Sequence, residues 1–215
     1  MKHRRITSTL AALAVAGTCV AAGTVPAGAA TPQPLGHQSI LKMLAKDGHH
    51  FDARSHDFDI ADKFFHKVLA ARPDSPLAVV AEGGQRLTTF LPTDGAFRRM
   101  ATDLVGKRFE SERRVYRALL RVGRIGGVEG VLLTHLVSGR TLGHYRLRTA
   151  APTSLDTLAG VPVKVRYRHH HVVLVDGDNV SPNSWIIPAL KNLNKGNLQI
   201  AHGINSVLSP VVDKG

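Results

Sequence analysis

Apolar residues recur along this chain with two different periods. In the stretch 61–73 (ADKFFHKVLAARP), Ala61, Phe64, Phe65 and Val68 stand at i, i+3, i+4 and i+7, which puts them on one stripe of a helix. Asp59 is placed to cap its first turn, and Pro73, which has no amide hydrogen and clashes with a preceding turn, ends it. A shorter helix is predicted over 39–46 from Ile40, Leu41, Met43 and Leu44, with Gly48 at the C-cap. Residues 87–91 (LTTFL) read as a buried strand. It stops at Pro92-Thr93-Asp94-Gly95, where Thr93 or Asp94 caps a helix running through Ala96 and Phe97. Over 111–122 Val115, Leu119 and Val122 share one side of a helix, Arg113, Arg117 and Arg121 another, and Gly126-Gly127 is expected to break it. The apolar run 128–137 fits helix or strand by periodicity alone.

The second period, an alternation, appears late. Over 161–168 Val163, Val165 and Tyr167 point one way and Lys164, Arg166 and Arg168 the other, as in a strand with one wet face. A second strand over 171–175 places His169 and His170 at or near the hairpin turn, and 176–179 is a turn cluster. Residues 181–197 read as a loop anchored by Trp185, and 198–208 as a last apolar strand.

Composition narrows the class. The chain has 215 residues, 43% apolar and 20% charged, enough for an ordinary core. Residues 1–30 read as a signal peptide: Lys2, Arg4 and Arg5 precede an uncharged, Ala/Val-rich stretch, and Ala27-Gly28-Ala29 has the small-x-small form of a cleavage site. Arg4-Arg5 leaves both the general and the twin-arginine route open. The expected organisation is a leader over 1–30, a linker over 31–36 and a single domain over 37–215. Cys19, the one cysteine, belongs to the leader, so neither a disulfide nor thiolate chemistry is available beyond it. No later run is long and apolar enough to span a membrane. The net charge of +12 falls only to +9 when Lys2, Arg4 and Arg5 leave, so an exported, basic protein drawn to anionic surfaces is expected.

Two cationic rows are candidates for holding a polyanion: Lys164, Arg166 and Arg168, with His170 continuing the row, and Arg113, Arg117 and Arg121. Solvated faces and guarded strand edges explain such rows equally well. His169 and His171 would share one face about 6.8 Å apart, too few ligands for a metal site. His135 and His202 lie among apolar neighbours, which suits buried histidines bonded to backbone. Without a G-x-S-x-G elbow or either glycine-rich nucleotide fingerprint, neither an enzyme nor a bound cofactor is expected. Nucleic acid is a poor partner for an exported chain with 5% aromatic residues.

Three motifs resemble those of the fasciclin domain. Thr88-Thr89-Phe90-Leu91-Pro92-Thr93-Asp94-Gly95-Ala96-Phe97 is similar to its first signature, Leu132-Leu133-Thr134-His135-Leu136-Val137-Ser138-Gly139 to its second, and the segment from Ile200 through His202 and Asn205 to Pro210 to its last. Phe58-Asp59-Ile60 resembles the domain's usual opening, and Leu155-Asp156-Thr157-Leu158-Ala159-Gly160 its approach to the late hairpin, so the likeness covers about 50–210. Thr134, Ser138 and Asn205 stand where the family usually has Tyr, Pro and Asp. The resemblance implies an α/β (α+β) fold, a β-sandwich-like wedge with packed helices. It implies an exported, non-enzymatic module for adhesion or binding, with Thr93, Asp94, His135, His202 and Asn205 serving the fold. The partner is then an extracellular polymer or surface protein; the alternative is a carrier of a small hydrophobic or metal-containing ligand beside the histidine tip or Trp185.

Overall fold

The computed structural model describes residues 33–178 and 182–210; the expected leader with Cys19 lies outside them. Ser39, in extended conformation, accepts a hydrogen bond from Lys42 N at 3.1 Å and opens α1 (Ile40–Leu44). One 3₁₀ turn follows, and Gly48 closes it at φ 97°, a conformation that strains any residue with a Cβ. Helix α2 (Asp59–Ala71) buries Ala61, Phe64, Phe65 and Val68 as the spacing predicts, and Ile60 as well. Its cap differs. Asp59 is the first helical residue and buried, and the acceptor for Ile60 N is Asp94 Oδ1 at 2.9 Å. Asp94 is free for this because Thr93 caps its own helix, α3 (Asp94–Val105), by accepting from Ala96 N at 3.3 Å.

Strand β1 (Leu87–Pro92) is buried along its whole length. Helix α4 (Glu112–Thr134) breaks at Arg124, at φ 51° and ψ −175°, and not at the glycine pair, which lies in the helix that resumes beyond it. The ambiguous stretch 128–137 is both things in turn: helix to Thr134, then strand β2 (Leu136–Ser138). Helix α5 (His144–Ala150) and strand β3 (Thr153–Asp156) were invisible in the pattern, because each buries a single apolar side chain, Leu147 and Leu155. Then come β4 (Pro162–Arg168), β5 (His171–Val175), β6 (Ser184–Trp185) and β7 (Gln199–Ile204). Trp185 does not anchor the loop before β7. It is 40% exposed, and Ile186, 1% exposed, fills that role.

Two sheets result. One has the order β2-β1-β7, with β1 antiparallel to β2 and parallel to β7; the other, β3-β4-β5-β6, is antiparallel throughout. Alternate residues of β1 feed two cores, since Leu87 and Leu91 pack with Phe64, Phe65 and Leu132, whereas Phe90 packs with Val163, Val172 and Ile186. Helices α1 to α4 surround the first core and the antiparallel sheet closes the second. Gly36, at the end of the expected linker, is already part of the fold: its N–H donates to Gly196 O and its carbonyl accepts from Leu198 N, at 2.8 and 2.9 Å. Gln38 N donates to Asn197 Oδ1 and Ile40 N to Gln199 Oε1, so residues 36–40 run beside 197–199, parallel to them.

Candidate functional site

The motif residues that most invite a chemical reading are built into the interior. His135 is 1% exposed; its Nδ1 donates to Val131 O at 2.7 Å and its Nε2 accepts from Leu208 N at 2.9 Å, which assigns one neutral tautomer. His202 is fully buried, with Nε2 donating to Leu142 O at 2.8 Å and Nδ1 accepting from Asn192 N at 3.3 Å. Burial in apolar surroundings pushes both imidazoles down to about 4, so they stay uncharged at neutral pH. Asn205 Oδ1 accepts from Trp185 N at 2.7 Å and fastens β6 to the end of β7. Asp94 is fully buried and within hydrogen-bonding reach of the Asp57 carboxyl, so one of the two must hold a proton. Burial first, then that contact, raise Asp94 to about 9, and burial raises its neighbour Glu112 to about 7. The Asp57, Asp94 and Glu112 oxygens lie within 4.8 Å of one another as a proton-bearing knot that ties α2, α3 and α4.

The strand row stands on the outer face of the antiparallel sheet. Val163 and Val165 are buried, Lys164 and Arg168 exposed and Arg166 half-buried. Register adds what the pattern did not contain: Lys164 pairs with Val175, Arg166 with Val173 and through it with Trp185, and Arg168 with His171. The His171 and Trp185 rings lie tilted against each other with centroids 6.1 Å apart, so the cations border an aromatic and aliphatic patch. His170 does not continue the row. It and His169 form the two-residue turn, at φ 66° and 49°, as a type I′ hairpin connection requires. Tyr167 lies exposed beneath Arg148, 5.4 Å from its ring centroid.

The helix row is divided. Arg113 lies 5.9 Å from the Phe51 ring centroid, in a recess that also holds Tyr116 and Arg117. Arg117 also lines, with Arg121, a cleft of about 460 Å³ between the end of α3 and the first half of α4. There they meet Lys107, Arg108 and Arg114, five cations around one depression floored by Phe109 and Ala118 and edged by Val105 and Val122. Of the five, only Arg114 forms an ion pair among the described residues, with the exposed Glu110 at 3.9 Å. Val122 is 55% exposed and Leu104, beside the cleft in sequence, 53%. Sequence reading passed over Lys107, Arg108 and Arg114. The available signal was Gly106, whose φ of 74° turns the chain sharply after α3 and folds the Lys107-Arg108-Phe109 run against α4. The two cationic surfaces stand on elements packed around different cores and are separate.

The sequence matches no family model and no curated protein. Among solved structures it is similar to a FAS1 domain pair from the insect cell adhesion molecule fasciclin I, at a TM-score of 0.52 and 16% identity. That likeness covers 80% of this chain and 51% of the other, so this chain spans about half the length of the domain pair. With its helices against two small sheets, in an α+β arrangement, the chain has the fasciclin-like fold.

Proposed function

We propose that the chain is an exported, non-enzymatic binding module with a leader over 1–30 and a short linker before the fold. Its basic cleft between α3 and α4 holds an anionic polymer of a cell envelope or matrix. The observation that carries this reading is the convergence of Lys107, Arg108, Arg114, Arg117 and Arg121 on one cleft, with one weak carboxylate partner among them. Five like charges repel one another, and a polyanion relieves that repulsion while releasing its own counterions. Lys164, Arg166 and Arg168 offer a second, flatter contact. The interior motif residues bear on function by shaping these surfaces. No helix among the described residues is long and apolar enough to cross a membrane.

Binding to an acidic polysaccharide, followed against salt concentration, tests the reading. Replacing Arg114, Arg117 and Arg121 by Ala should weaken binding at least tenfold and flatten the salt slope by about one per cation removed. The triple Ala variant of Lys164, Arg166 and Arg168 should do less. A flat salt response, or unchanged affinity in the helix variant, sinks it. A second reading, a carrier of a small ligand, is favoured at one place only. His171 and Trp185 lie on an open sheet face, but the apolar floor of the cleft suits an anionic amphiphile. Displacement of the polysaccharide by a fatty acid, and not by a short apolar-free anion, distinguishes the two.

A further inference from the structure

The segment 47–66 carries five aspartates and four histidines in a chain whose net charge is +12. Folding gathers three of these residues at one point. Asp62 and His66 are one turn apart on α2, so their side chains share a face. His49 is brought to them by the turn after α1, where Gly48 has φ 97° and His49 itself the left-handed value of 58°. A non-glycine residue in that region is strained, and the fold here spends that strain on holding an imidazole against Asp62.

Asp62 is 3% exposed, and its carboxylate lies between the two rings: Oδ2 is 2.5 Å from His49 Nδ1 and Oδ1 is 3.3 Å from His66 Nδ1. The rings meet edge to face with centroids 5.1 Å apart. Asp62 Oδ1 is buried and accepts no hydrogen bond, an arrangement that costs free energy unless something else fills its coordination. The side chains of His49 and His66 are 36% and 50% exposed, so the point they enclose opens to solvent.

We propose that His49, Asp62 and His66 form a binding site for a divalent transition-metal ion of the zinc type. Two imidazoles and one carboxylate are the donor set of open, three-ligand zinc centres, with water or an anion in the fourth position. Tetrahedral coordination at about 2.0–2.1 Å puts neighbouring ligand atoms about 3.3 Å apart. The Asp62–His66 separation already has this value, and His49 needs to withdraw by about 0.8 Å, within reach of a half-exposed ring on a loop. His66 Nδ1 also lies 2.9 Å from Asp62 O, to which it donates; on metal binding each histidine gives up its Nδ1 proton to solvent and carries its remaining proton on Nε2. The oxygens of Asp52, Asp57 and Asp59, within 4.8 Å of one another, concentrate negative charge on the neighbouring stretch, whereas the cations Lys63, Arg113 and Arg117 line the recess beside His49. Imidazole donors favour zinc, copper and nickel over calcium and magnesium.

Titration of the full chain with Zn²⁺, and with Co²⁺ followed by its visible absorbance, tests the site. One equivalent should bind, Co²⁺ should show the intense bands of a four-coordinate ion, and Zn²⁺ should raise the melting temperature. His49→Ala and His66→Ala should each weaken binding at least tenfold; His66→Ala, whose side chain is 50% exposed, should leave the metal-free melting temperature near that of the parent, whereas His49→Ala should lower it because the buried Asp62 Oδ2 loses its partner. The double Ala variant of His169 and His170, at the hairpin tip, should bind as the parent does. Three results overturn the proposal: no saturable Zn²⁺ binding, equal affinity in the His49 and His66 variants, or loss of binding in the hairpin variant.

Discussion

Asp94 sits in the first motif of the chain, and its interest lies in holding together parts that are distant in sequence. One oxygen accepts from Ile60 N, thirty-four residues away, and the carboxyl also meets Asp57. Asp94→Ala leaves a helix end without its acceptor and should cost about 1–2 kcal/mol in chemical unfolding. Asp94→Asn keeps the acceptor and discards the ionisation. Folding lifts Asp94 from 3.8 to about 9, so its contribution to stability is complete below pH 3.8 and is lost as pH rises toward 9. The stability of the Asn variant relative to the parent should therefore increase over that window; a constant difference would show that Asp94 ionises normally. His135 has the opposite sign. Its depression from 6.5 to about 4 contributes stability present above pH 6.5 and lost as pH falls toward 4. His135→Asn, which strands Leu208 N or Val131 O, should cost about 1–3 kcal/mol at pH 7.5, and the gap to the parent should narrow steadily between pH 6.5 and 4.

At the scale of elements, the hairpin β4–β5 carries two non-glycine residues in the left-handed region, where Asn-Gly is the favoured pair. Changing His169→Asn and His170→Gly together should raise stability by about 1 kcal/mol, seen as a higher melting temperature, and leave polysaccharide binding untouched. That hairpin was legible in the sequence because alternation with one wet face has no rival explanation, and α2 because four apolar side chains share one stripe. Where one apolar residue does the packing, as Leu147 does for α5, periodicity has nothing to register. The break in α4 was legible as an event and misplaced in position. A glycine pair marks where a bend is cheap, but Arg124 takes the strained backbone itself, and a Cβ on Gly126 would come within 3.4 Å of the Arg72 guanidinium. The α2 cap escaped for another reason: its donor and acceptor meet only through space. The cleft behaves likewise, since Arg117 and Arg121 show as a row, but Lys107, Arg108 and Arg114 join them only after Gly106 has turned the chain.

For the whole molecule, positive charge is unevenly spread: the cleft beside α4 and the outer sheet face are cationic, whereas the stretch leading into α2 is acidic. Arg117 borders both the cleft and the recess that holds His49, so a polyanion seated in the cleft lies next to the histidine-aspartate corner. The parallel course of residues 36–40 beside 197–199 has a mechanical consequence. Tension applied between the start and the end of the described fold drags these two segments lengthwise past each other, loading the Gly36, Gln38 and Ile40 contacts together instead of one after another. A module tethered at both ends in this way yields abruptly at high load, and single-molecule pulling should record one sharp rupture that Asn197→Ala softens; a gradual, low-force extension would show that the strap peels.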